Sequence, residues 1–75
     1  MNKYYQVIYR IYGEVIEGNN SKILTEREMQ SIKAFNEEEA HQIASLRTEG
    51  IERKFSYYLN NPRVELDALF LASEF

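Results

Sequence analysis

The chain has 75 residues, nine basic and twelve acidic side chains, a formal net charge of −3 and no cysteine. Surface scaling for a mass of 8.9 kDa gives roughly 4,800 Å² folded against roughly 12,900 Å² unfolded, enough for one modest core but not for a deep enclosed active site beside it. Disulfides and thiolate metal sites are excluded. With 44% hydrophobic and 28% charged residues, residues 1–75 read as a single globular domain rather than a disordered or fibrous chain.

The first periodic segment is Lys3 to Glu17, rich in Tyr and β-branched residues as strands prefer. Its odd positions include Tyr5, Val7, Tyr9, Ile11 and Val15, and its even positions Tyr4, Gln6, Ile8, Arg10, Tyr12 and Ile16. Gly18-Asn19-Asn20-Ser21 follows as a turn signal, with the Asn pair placed to take the positive φ of a type I′ hairpin. That fold-back sets Val15 opposite Leu24, Val7 opposite Ile32 and Tyr5 opposite Ala34. The polar stretch from Thr25 to Gln30 is expected to interrupt the ladder as a bulge or loop.

Phe35-Asn36-Glu37-Glu38-Glu39-Ala40 is the clearest local signal. Asn36 fits an N-cap, Glu39 the N3 position of a capping box, and Phe35 with Ala40 a hydrophobic staple. The three glutamates also meet the positive end of the helix dipole. The helix is expected to reach about Thr48, with Gly50 as its C′ residue. Beyond Gly50 the period returns to two, through Ile51, Phe55, Tyr57 and Leu59, then a turn at Asn60-Asn61-Pro62-Arg63. Val64, Leu66, Ala68, Phe70 and Ala72 make the last strand. A helix from Pro62 to Glu74 is the rival reading, because Pro after an Asn cap and a run of Leu, Ala and Glu suit helix formation. The expected fold is α+β: an antiparallel four-stranded sheet of ββαββ order with one helix packed on one face.

Chemistry-bearing groups are few. His41 is the single histidine, with Glu37 and Glu38 on its helical face. Two ligands do not close a metal shell, and an imidazole among carboxylates on a solvated face needs no function. Asp67 is the single aspartate, and the three glycines stand apart, so neither a Ser-His-Asp set nor a phosphate loop is specified. No catalytic residue, metal or cofactor is assigned. The basic residues are scattered, which argues against a phosphate-backbone binder.

If the helix covers Val7, Ile32, Ala34, Phe55, Tyr57, Val64, Leu66 and Phe70, the other face keeps Tyr4, Ile8, Arg10, Tyr12, Tyr58, Leu69 and Leu71. A patch of that kind on a small domain marks a partner surface, and Tyr with Arg are favoured hot-spot residues. Its alternative is simple packing beneath the Gly18–Met29 stretch or beneath Ser73-Glu74-Phe75.

Ser31-Ile32-Lys33-Ala34-Phe35-Asn36-Glu37-Glu38-Glu39-Ala40, a strand running into a capped acidic helix, resembles a pattern in small phage and prophage accessory proteins, including anti-CRISPR inhibitors. It is also similar to the strand-to-helix step of a small archaeal large-subunit ribosomal protein, from which the even charge scatter here departs. The phage resemblance implies a stoichiometric inhibitor of a host defence complex that acts by occupying a partner's surface. The expected function is therefore non-enzymatic protein binding through an exposed Tyr-rich sheet face. A structural homodimer and a single-stranded nucleic-acid binder are the alternatives. The N-terminus lacks a signal-peptide pattern and no run approaches the roughly 18 apolar residues of a membrane span, so the expected compartment is the cytosol.

Overall fold

A computed structural model describes residues 3–74. Three strands and one helix follow in the order β1 (Lys3–Glu17), β2 (Asn20–Ala34), α1 (Glu37–Phe55) and β3 (Asn60–Glu74). The sheet is antiparallel with β1 in the middle, in the order β2-β1-β3. The expected α+β class and the single helix on one face are present, but the four-stranded ββαββ sheet is corrected to three strands.

The β1–β2 hairpin turns one step earlier than its sequence suggests. Gly18 takes a φ of 61° while Asn19 stays out of the left-handed region, the pattern of a type II′ turn with Gly first rather than a type I′ turn on two asparagines. Pairing therefore shifts by two residues, so that Val7 faces Gln30 and Tyr5 faces Ile32. A shift of two preserves the side-chain period, so every residue of β1 and β2 keeps its expected face. The ladder is continuous through Thr25–Gln30, and the bulge expected there is absent.

Asn36 caps α1 as its residue type implies, accepting from the Glu39 amide at 2.8 Å. The Glu39 carboxylate accepts in turn from the Phe35 amide at 3.4 Å, one residue ahead of the usual capping-box donor. Phe35 itself is 60% exposed, so the staple adds little. The helix does not stop at Gly50 but continues to Phe55. Ile51 and Phe55 are four residues apart, a spacing that suits alternation and a helix equally. What separates the two is that Ala40 and Ala44 already bury the same stripe, which Ile51 and Phe55 extend. Arg53 and Lys54 in the last turn complement the negative end of the dipole. Ser56 caps the helix by donating its amide to the Glu52 carbonyl at 2.9 Å.

Strand β3 holds the segment from Pro62 onward in extended form, which settles the strand-or-helix alternative. Asn60 to Arg63 forms no free turn. Asn61, at φ 51°, lies in an irregularity where β3 shifts register between Tyr12 and Glu14. Pro62 is tolerated because β3 is an edge strand. Two further register shifts set Asp67 and Ala72 out of the ladder.

The core lies between the sheet and α1. Tyr5, Val7, Tyr9 and Ile11 of β1 and Ile32 and Ala34 of β2 are buried against Ala40, Ala44, Ile51 and Phe55 of the helix. Each large side chain so buried contributes about 1.5–3 kcal/mol. Ala40 and Ala44 bring the helix close enough for the fully buried Tyr9 hydroxyl to donate to the Ala44 carbonyl at 2.8 Å. Leu59 closes the far end over Gly13, where a Cβ would sit 2.5 Å from the Leu59 Cβ.

Two glycines therefore predict opposite outcomes in denaturant unfolding. Gly13→Ala should destabilise by about 1–3 kcal/mol, because the Leu59 backbone must move. Gly50→Ala should stabilise by about 0.5–1 kcal/mol, because Gly50 is helical and a Cβ there meets nothing within 4 Å.

Candidate docking face

The helix roofs one face of the sheet and leaves the other without a covering element among the described residues. Tyr4, Ile8, Arg10 and Tyr12 point outward from the central strand, as expected, each partly shielded by neighbours on both sides. The other three expected site residues lie elsewhere. Tyr58 sits in the turn after α1, its ring tilted against Phe55 with centroids 5.8 Å apart. Leu69 packs against the core. Leu71 pairs with Tyr5 on the helix side. The reason for both leucines is parity. Asp67 adds one residue to β3, so the alternation reverses beyond it, Leu69 and Leu71 turn inward and Phe70 turns outward.

Two residues missed from sequence join the patch. Met29, opposite Ile8 on β2, is 64% exposed, and Phe70, opposite Gln6 on β3, is 49% exposed. Met29 was hidden in a stretch read as polar and irregular; the expected register set it opposite Arg10, so parity alone put it on the outer face. The Gly18–Met29 stretch is part of the hairpin and covers nothing, and Phe75 lies outside the described residues.

Polar contacts order the middle of this face. The Arg10 guanidinium pairs with Asp67 at 3.0 Å through Nη2 and donates to the Tyr12 hydroxyl at 3.3 Å through Nη1. The Tyr12 hydroxyl and then the Asp67 charge hold Arg10 above its ordinary pKa. Gln6 Nε2 donates to Ser31 Oγ at 3.1 Å. Charge is divided across the face. Strand β2 contributes Arg27 and Lys33 with no acid, whereas β3 contributes Glu65 and Asp67 with Arg63.

On the helix side a polar strap ties α1 to the β2 edge. Lys54 pairs with Glu28, Gln30 donates to Glu28 at 2.7 Å, and Arg47 donates to Gln30 at 3.0 Å and to the Ser31 carbonyl at 3.3 Å. Partial burial pushes the Glu28 carboxyl up, but hydrogen bonds from Lys54 and Gln30 and the Lys54 charge outweigh it, leaving the group below its ordinary value. An arginine on a main-chain oxygen of an edge strand also obstructs pairing with another chain there.

His41 stands on the solvent side of α1, with Nε2 3.7 Å from Glu37 Oε1. Among the described residues, no three His, Asp or Glu side chains gather as a metal site, and no helix is long and apolar enough to cross a membrane. Searches of family models, curated proteins and solved structures find no match to this chain.

The lowered Glu28 carboxyl sets a direction for acid sensitivity. Stability from the strap is present above the ordinary Glu value of about 4.3 and is lost as pH falls through the lowered one. Glu28→Gln should reduce stability at pH 7 by less than about 1 kcal/mol, since exposed Lys54 is well screened, and should flatten the acid limb of a stability–pH curve. An unchanged acid limb would show that the strap carries no linkage.

Proposed function

We propose that this chain is a non-enzymatic protein-binding module whose contact surface is the uncovered sheet face. One observation carries the reading: on that face Ile8 and exposed Met29 are neighbours across β1 and β2, exposed Phe70 sits one row on, opposite Gln6, and Tyr4 and Tyr12 lie two rows from Ile8, beyond Gln6 and Arg10. Exposed apolar and aromatic side chains interleaved with an arginine are the kind of surface a protein interface uses. The Arg10–Asp67 pair gives such a surface a fixed polar register. Stoichiometric inhibition of the phage type fits a module that works by occupancy, because it asks for shape and contact area and for no reacting group. The proposal includes a cytosolic setting, in which a chain without cysteine folds with no need of an oxidising compartment. Single-strand binding by tyrosine stacking is less favoured, because Glu65 and Asp67 would repel the phosphates that Arg10 and Arg63 would attract.

Affinity capture with tagged variants tests this reading, with a differently tagged copy of the chain included among the prey. Met29→Lys and Phe70→Lys alter exposed side chains, so the fold should stay within about 0.5 kcal/mol of wild type, while capture falls by about tenfold or more. Tyr58→Ala, on the helix side, should leave capture unchanged. Equal capture by all three variants, or loss only with Tyr58→Ala, would remove the sheet face from the proposal. Binding to oligonucleotides that strengthens as salt falls would replace it with the nucleic-acid reading.

A further inference from the structure

The occupant of the face can be named from its shape and charge. The molecule is unusually open for its size. Its radius of gyration is 14.7 Å, whereas a compact chain of this length has about 11 Å. Its accessible surface is 5258 Å² against the roughly 4,800 Å² expected for its mass. The extents are 54 × 16 × 14 Å, with the strands along the long axis. Three strands about 4.8 Å apart and about 50 Å long present a face of about 700 Å² in plan, near the roughly 800 Å² per partner of a standard stable interface.

The charge pattern supplies the orientation. Arg27, Arg10 and Glu65 form one row across the sheet, with Asp67 beside it, so the row is basic on the β2 side, acidic on the β3 side and neutral as a whole. Suppose a second copy is turned by a two-fold axis parallel to the strands. Then β1 lies over β1 of the mate and β2 over its β3, with no change of row. Arg27 then meets Glu65 and Asp67 of the other copy, and Met29 meets Ala68 beside Phe70. Ile8 packs against its own counterpart. Arg10 also approaches its counterpart on the axis, where its own Asp67 already neutralises it at 3.0 Å. A self-complementary patch of this kind is what a two-fold interface requires.

We propose that the partner of this face is a second copy of the same chain, packed sheet to sheet with β2 of each over β3 of the other. The inference rests on the protein-binding reading above and names as its partner a second copy, in place of the foreign target that the inhibitor reading requires. It also accounts for a three-stranded layer that one helix covers on a single side, since two such layers bury each other's open face as in aligned sheet packing.

Sedimentation equilibrium from about 1 to about 200 µM tests the assignment, with thermal melts confirming that each variant folds. Wild type should approach twice 8.9 kDa. Arg27→Glu alone and Glu65→Arg alone should each weaken association by about tenfold or more, like charges now facing one another. The double variant Arg27→Glu/Glu65→Arg should recover it. A chain that stays monomeric throughout the range overturns the dimer but not the protein-binding reading, whose capture experiment still stands. In that case a foreign protein held by wild type and released by Met29→Lys assigns the face to that protein. A dimer indifferent to Arg27→Glu, or one that the double variant fails to restore, overturns the proposed arrangement.

Discussion

A mismatch of length governs this molecule. A 19-residue helix spans about 28 Å, at 1.5 Å per residue, whereas 15-residue strands span about 50 Å. The helix, lying on one face of the sheet, can therefore roof only a little more than half of that face. The tip of the β1–β2 hairpin projects beyond Leu59 and Gly13, where the helix-side residues Val15 and Leu24 are only partly buried. The elongated shape follows from this mismatch, and the open second face from there being one helix among the described residues.

What the helix does cover, it holds at several points. Near its middle, Ala40 and Ala44 admit Tyr9, whose hydroxyl reaches the helix backbone. At the C-terminal end Leu59 packs into the space that only a glycine at position 13 leaves open. Along the β2 edge, Arg47 and Lys54 reach Gln30 and Glu28. These contacts lie on the side of the sheet away from the docking face. They steady the strand rows without placing a group in that face, so the outward side chains of β1 keep a fixed spacing.

The outer face was legible in part from the chain alone. Tyr4, Ile8, Arg10 and Tyr12 follow from alternation on one regular strand, and a hairpin shifted by two residues cannot move them. Leu69, Leu71 and Phe70 were misassigned because alternation carries no mark of an extra residue. Asp67 looks like any polar position until the Arg10 pair shows which way it points. Tyr58 was misplaced for another reason. It was counted into a strand that the helix absorbs, and Ile51 and Phe55, four apart, satisfy both periods.

Short-range signals were sufficient wherever a few neighbouring residues decide the outcome. Asn36 and the three glutamates start the helix and alternation divides β1 and β2 between two faces, whereas the turn centres on Gly18 and Asn19 and not on the expected Asn pair. These are local effects of capping, backbone freedom and side-chain period. Only the tertiary structure decided that α1 runs past Gly50, that the sheet has three strands, and that β3 reverses its faces at Asp67. The physical reason is that each of these turns on which apolar surface is buried against which. Helix extension is favoured because Ile51 and Phe55 join the core cluster beneath the roof, and the bulge is retained because it turns Leu69 toward the same core. Such long-range burial leaves no trace in the spacing of one segment read by itself.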